Sequence, residues 1–390
     1  MTSFLARVYA FKFLDSFILI FPLYTVMFAD AGLTPVQIAV CLTAWSATSF
    51  MLQVPSGVIA DRWSRRDILA LAQLVRAAGL AVWLVYPHFW GFLAGLLLWG
   101  IKSAFTSGTF EALLYDEMNA RGQAADYTRI FGRARAVDAG GVLMAALGAA
   151  AVARFGYPVT LAASVAAGGL AVAAAWSLPQ APPAIAVRDQ GYLKHLRKGL
   201  AVSLREPAVL SILVFSAVVL AFGSALSEFW PIFGAGVGLT RPVIALVVGA
   251  QNLVEALASL AAWRLARLPA RGFYALFALC GLMLATAAGL FTPAAMALLV
   301  VYSGLTKLVT VVFEGRLQHA IASDRRATIG SVKSFLGQIG VTLLYMSFGP
   351  IAQVTSYRVA FMACGVIGVA IGLTYLIVPR AWPRRGSGAN

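Results

Sequence analysis

Apolar residues run along this chain in twelve stretches separated by short polar turns, each close to the ~20 residues that a helix needs to cross a hydrocarbon core. The stretches fall at roughly 4–29, 36–59, 67–87, 90–115, 131–153 and 157–178, then at roughly 207–233, 242–265, 271–291, 293–315, 330–353 and 357–378. In lipid only helices and closed barrels satisfy the backbone. The pattern therefore predicts an all-α integral membrane protein with twelve transmembrane helices in two six-helix bundles. The bundles are expected over 1–178 and 207–378, with a linker over 179–206 and a tail over 379–390. The linker holds Pro179, Pro182 and Pro183, and its second half (Tyr192 to Leu200) reads as a basic amphipathic helix on the membrane surface. The start, with Arg7, Lys12 and Asp15 and no small-residue cleavage site, reads as a retained first helix rather than a signal peptide.

The two halves share a register. Ala31-Gly32-Leu33-Thr34 precedes the second stretch and Val237-Gly238-Leu239-Thr240 the eighth, an offset of 206. Phe110-Glu111 and Phe313-Glu314 correspond at an offset of 203. Parallel repeats of six helices predict a pseudo-symmetric pair of bundles, as transporters often have. Pro22 and Pro231 sit near the outer ends of related helices and predict kinks there.

Composition narrows the classes. Of 390 residues 61% are hydrophobic and 12% charged, with a mean hydropathy of +0.84; a soluble domain carries about 25% charged residues. The net charge of +15 would suit nucleic acid only on a soluble basic domain. Its distribution gives another reading. With both termini cytoplasmic, the inner loops hold 23 of the 30 Lys and Arg, while the outer turns hold only Arg154, Arg241 and Arg358. That is the positive-inside bias. Cys41, Cys280 and Cys364 lie in apolar stretches, and His88, His195 and His319 are scattered, so neither a disulfide framework nor a metal site is expected. No phosphate-binding glycine loop and no activated nucleophile appears, which argues against a pump subunit or an enzyme. The remaining rival is a channel or the membrane subunit of a larger system.

Candidate chemistry lies in charges inside the stretches, because each costs about 2.5–3.5 kcal/mol at the bilayer centre on insertion scales. Lys12 and Asp15 share one face of the first helix, Arg76 lies in the third, Lys102 and Glu111 in the fourth and Asp138 in the fifth. Glu228 lies in the seventh, Glu255 in the eighth with Gln251 and Asn252 nearby, and Lys307 and Glu314 in the tenth. Glu228 and Glu255 have no basic residue at helical spacing within their own segments. A dry carboxylate favours its protonated form, so these residues and Asp15 are candidates for proton coupling. Lys12, Lys102, Lys307, Gln251 and Asn252 are candidates for a central cavity. Arg76 is expected to be a structural partner. Glu111, Glu314 and Asp138 are expected at a cytoplasmic gate, held by Arg133, Arg135 or Lys333. Tyr24, Trp45, Phe229, Trp230 and Tyr302 are expected to be mainly packing.

Residues 57–66 read Gly-Val-Ile-Ala-Asp-Arg-Trp-Ser-Arg-Arg. With Gly57, Asp61, Arg62, Arg65 and Arg66, this loop resembles the motif between the second and third helices of the major facilitator superfamily, Gly-x-x-x-Asp-Arg-x-Gly-Arg-Arg. Ser64 stands where the family has glycine. The same loop shifted by 206 covers Trp263 to Gly272 and keeps only basic residues, Arg267 and Arg271. The resemblance implies that Asp61 faces the start of helix 11 near Gly330. It also implies that Arg62, Arg65 or Arg66 pairs with Asp116, Glu117 or Asp126. The run Ser107 to Asp116 looks like helix 4 of bacterial drug-exporter-like members. Their Gly-Pro dipeptide is missing from Asp138-Ala139-Gly140-Gly141. The expectation is a monomeric secondary transporter of a bacterial inner membrane, working by alternating access with the proton as coupling ion and no other cofactor. Its substrate would be a small amphipathic organic molecule, exported first, with uptake of a small organic anion or zwitterion as the alternative. The lipid bilayer is the expected environment; nucleic acid is not an expected partner.

Overall fold

In the computed structural model, residues 2–60, 63–180, 207–320 and 326–378 are described. The first half contains α1 (Thr2–Ser16), α2 (Tyr24–Asp30), α3 (Pro35–Ala60), α4 (Arg65–Val85), α5 (Phe89–Thr106), α6 (Thr109–Ala120), α7 (Tyr127–Val152) and α8 (Tyr157–Trp176). The second half contains α9 (Pro207–Leu220), a π-helical turn at Ala221–Ala225, then α10 (Trp230–Gly236) and α11 (Arg241–Leu265). It ends with α12 (Ala270–Leu290), α13 (Ala295–Ala320), α14 (Arg326–Val354) and α15 (Tyr357–Ile377). No strand occurs among the described residues. Ten stretches are long and apolar enough to span a membrane, and α9 with α10 adds an eleventh across a 46° bend. The twelfth is the first predicted span, divided into pieces of 15 and 7 residues.

Three predicted helices are therefore broken, each for a local reason. The first opens between Ser16 and Tyr24, around Pro22, which has no amide hydrogen to give. Side chains replace the missing ladder: the Ser164 hydroxyl accepts from the Ile20 amide at 2.9 Å, and Arg76 donates to the Asp15 carbonyl at 2.6 Å. Open backbone survives at membrane depth only with such partners. The fourth span breaks at Ser107-Gly108, where Gly108 has φ +77°, a left-handed value open to glycine. The seventh breaks before Pro231, and there the Tyr302 hydroxyl donates to the Phe222 carbonyl at 3.0 Å.

The repeat read from sequence recurs in the backbone. Gly32 and Gly238 have φ +88° and +86°. Leu23 N donates to Ile20 O at 2.9 Å, and 206 residues on Phe229 N donates to Leu226 O at 3.0 Å. The same offset relates Leu33–Phe28 to Leu239–Gly234 and Ile38–Thr34 to Ile244–Thr240. Ring contacts follow: Tyr24 meets Trp99 as Trp230 meets Tyr302, and Phe11 meets Phe110 as Phe215 meets Phe313.

The chain divides into two compact units: the described residues of Met1–Val187 with Gly234–Leu253, and those of Arg188–Phe233 with Val254–Asn390. In the first, Phe4, Val8 and Phe11 of α1 pack on Leu69 of α4, Leu113 and Met118 of α6, and Ile130 of α7. In the second, α12 and α15 approach backbone to backbone. A Cβ at Gly281 would lie 2.7 Å from the Gly365 carbonyl oxygen, and one at Gly365 2.5 Å from the Ala285 nitrogen. Gly365→Leu is expected to lower the unfolding midpoint in detergent by at least about 2 °C, since overpacking costs roughly 1–3 kcal/mol. Gly315→Ala, where a Cβ meets nothing within 4 Å, is the control. Equal midpoints for the two variants would refute this close contact.

Candidate functional site

Four helices of the first unit bring their charges to one place. Asp15, near the end of α1, is the centre. Lys102 of α5 reaches its Oδ1 at 2.6 Å, Gln73 of α4 donates to the same oxygen at 2.7 Å, and Arg76 lies 3.5 Å from it. Lys12, one turn earlier on α1, lies 3.3 Å from Oδ2. Gln73 and Arg76 are three apart on α4, and their side chains join at 2.6 Å through Gln73 Oε1. Arg76 is 2% exposed and Asp15 6%, so this carboxylate and its cations share a dry site.

Asp138 of α7 completes the group. Its Oδ1 lies 3.0 Å from Lys12 Nζ and accepts from the Ser16 hydroxyl. Both contacts fall on that one oxygen. The Asp138 side chain is 24% exposed, well above Asp15. α7 comes this close to α1 because of Gly141, where a Cβ would stand 2.5 Å from the Phe13 carbonyl oxygen. The sequence reading grouped Asp138 with the gate; the structure instead places it beside Lys12. Glu111 of α6 meets Arg135, three residues before Asp138 on α7, at 3.2 Å. The cluster thus holds three cations, Lys12, Arg76 and Lys102, against two carboxylates, Asp15 and Asp138. One positive charge is in excess.

The remaining candidates lie on other elements. Gln251 is buried and Asn252 half-buried on α11, where the Asn252 amide donates to the Val248 carbonyl at 2.8 Å. Glu255 and Glu228 are half-buried in the second unit. Lys307 is exposed on α13, unlike the buried Lys102, so the two are not equivalent cations. Glu314 pairs with Lys333 of α14. Tyr24, Phe229, Trp230 and Tyr302 are buried among other rings, in line with packing. Cys41, Cys280 and Cys364 are buried free thiols, and no group able to hold a metal occurs among the described residues.

In the charged loop, Gly57 is exposed on the last turns of α3, and Asp61 and Arg62 lie outside the described residues. Arg65 pairs with Asp116 of α6, one of the expected partners. Arg66 instead meets Asp67 at 2.9 Å, Glu117 pairs with Arg121, and Asp126 meets Arg129 at 3.0 Å. Each of these three acids has a basic residue within four positions, a shorter reach than the loop. Ser64, the departure from the motif, is the N-cap of α4 and accepts from the Asp67 amide at 3.4 Å. A serine here starts the helix, which a glycine does less well.

Sequence reasoning missed a second polar group in this unit. Asp30, at the end of α2, accepts from the Tyr157 hydroxyl at 2.6 Å and from Arg241 at 3.0 Å. The Arg241 guanidinium also lies 4.1 Å from the Tyr157 ring centre. Nothing in the spacing of 30, 157 and 241 signals this. Ser16 and Gln73 were missed as well, although Gln73 three residues before Arg76 in an apolar helix is a readable signal.

Asp15→Asn leaves three cations facing Asp138 alone, and removing one side of a buried pair costs about 3–5 kcal/mol. It is expected to destabilise more than Lys102→Met. The double variant restores a single excess charge and should recover part of the loss. Thermal unfolding of the four proteins checks this; strictly additive losses would contradict the shared charge closure.

The sequence profile of the Major Facilitator Superfamily matches residues 5–313. No curated protein sequence matches the chain. Among solved structures, the nucleoside transporter NupG aligns with a TM-score of 0.79 at 16% identity, covering 96% of this chain and 98% of that one. A D-xylose–proton symporter aligns at 0.70 and 13%, covering 97% of each chain. The POT family transporter PepTSo aligns at 0.70 and 13%, covering 95% of this chain and 96% of that one. At such identities the likeness is one of fold.

Proposed function

The chain belongs to the Major Facilitator Superfamily, and from that premise we propose that it moves a small organic anion or zwitterion together with protons, by alternating access. The observation that carries this reading is the buried group around Asp15, with its one unbalanced positive charge. A bundle gains nothing in packing from three buried cations and two carboxylates, since apolar residues of like volume often serve stability equally well or better. Intramembrane ionisable groups of this kind mark substrate and proton pathways. The similar D-xylose–proton symporter is named for proton coupling, which supports the proton as coupling ion here. Asp15, Asp138, Glu228 and Glu255 are the carboxylates proposed to take part. Lys12, Lys102, Gln251, Asn252 and Lys307 are proposed to contact substrate. The loop of Gly57, Asp61, Arg62, Arg65 and Arg66, with Glu111, Asp116, Asp126 and Glu314, is proposed as the inner gate.

Export of an amphipathic molecule through the same site is the second reading. It is favoured by the likeness of Ser107 to Asp116 to drug-exporter-like members. The proposed setting is a bacterial inner membrane, with two repeat bundles over 1–178 and 207–378, both termini cytoplasmic and a monomer as the working unit.

Proteoliposomes loaded with a pH-sensitive dye separate these readings. Small organic anions added outside should acidify the lumen more than in protein-free vesicles, whereas amphipathic molecules should drive protons outward if export is right. Movement indifferent to a pH gradient would sink proton coupling. So would movement that survives neutralising Asp15, Asp138, Glu228 and Glu255 together.

A further inference from the structure

The two carboxylates of the buried group are held very differently. Asp15 meets three cations and an amide and is nearly closed to solvent. Asp138 has one cation and one hydroxyl, both on Oδ1, and is the most exposed member of the group. Lys12 is shared: it lies 3.0 Å from Asp138 and 3.3 Å from Asp15, with the Phe110 ring 5.2 Å from its ammonium. Lys12 and Lys102 are 7% and 8% exposed and Arg76 2%; of the three, Lys12 is the one paired with the half-buried Asp138. The Arg76 Nε has no hydrogen-bond partner, so the cation side of the group is not fully satisfied from within.

We propose that Asp138 is a placeholder on Lys12, and that an organic monoanion takes up position on the same ammonium. This deepens the transport reading above and rests on it. Three cations and two carboxylates leave one positive charge, so a monoanion brings the group to neutrality, a dianion overshoots and a neutral amide leaves the excess in place. Asp138 competes for Lys12 as an internal anion; removing its charge raises the excess to two and strengthens binding. A merely structural Asp138 would act the other way, since its loss would loosen the site.

The experiment uses the purified full chain in detergent at fixed ionic strength. Benzoate is the probe, with benzamide as its neutral isostere and phthalate as the dianion, and binding is read from ligand-induced thermal shift. The wild type should be stabilised by benzoate, less by phthalate and not by benzamide. Asp138→Asn should bind benzoate about tenfold more tightly and Lys12→Gln about tenfold more weakly, the scale of one charge acting near a protein surface. Asp138→Ser serves if Asp138→Asn does not fold. Equal shifts with benzoate and benzamide, no shift in any protein, or weaker benzoate binding by both Asp138 variants would overturn the proposal. Proton flux with other solutes, but no benzoate binding, would remove this inference and leave the transport reading standing.

Discussion

Asp15 is the constraint around which the first unit is built. A carboxylate 6% exposed in an apolar bundle cannot remain charged without partners, and each partner it recruits is itself a buried charge needing a counterpart. Lys102, Arg76 and Lys12 come from three helices, and Asp138 then serves Lys12 from a fourth. The positions of α1, α4, α5 and α7 are therefore tied to one another electrostatically as well as by packing. The break after Ser16 belongs to the same solution. It frees the Asp15 carbonyl for Arg76, and the end of a helix is where cations are favoured.

The repeat and the charges follow different logics. Backbone hydrogen bonds, the two left-handed glycines and the ring pairs recur at offsets of 203 to 206, so the frame is common to both halves. The charged group does not recur. Adding 204 to Lys12 gives Ser216, and adding 206 to Asp15, Gln73 and Arg76 gives Ala221, Leu279 and Leu282. One half kept the frame and carries the buried ions; the other fills the equivalent positions with a hydroxyl and apolar side chains. The ion cluster around Asp15 thus has no counterpart at these positions of the second half.

Twelve spans and the offset of 206 were legible in sequence, because length and repeated words are local signals; the loop motif implied Arg65–Asp116 only as one of several pairings. For Glu111 and Glu314 the sequence left Arg133, Arg135 and Lys333 as open partners, of which Arg135 meets Glu111 and Lys333 meets Glu314. The breaks inside spans were only half legible. Pro22 and Pro231 marked them, but placed them as kinks near the outer ends, whereas the first opening begins at Ser16. Which carboxylate met which cation across four helices was not legible, because it depends on helix rotation. Gly141 contributes: its close approach to the Phe13 carbonyl lets α7 sit against α1, where Asp138 meets Lys12.

The two polar groups of the first unit differ in what would hold them together. Around Asp15 the ions are buried, so their attraction is screened little and their separation would leave costly unpaired charges. Around Asp30 the ions are about 40% exposed, and such pairs contribute little to stability on their own. Tyr157 adds a hydroxyl and a ring face to Arg241, giving specific geometry at small energetic cost. A contact of that kind can form and part repeatedly; the group around Asp15 cannot come apart without a substitute charge. On the proposal that an anion takes up position on Lys12, the incoming carboxylate supplies that substitute charge.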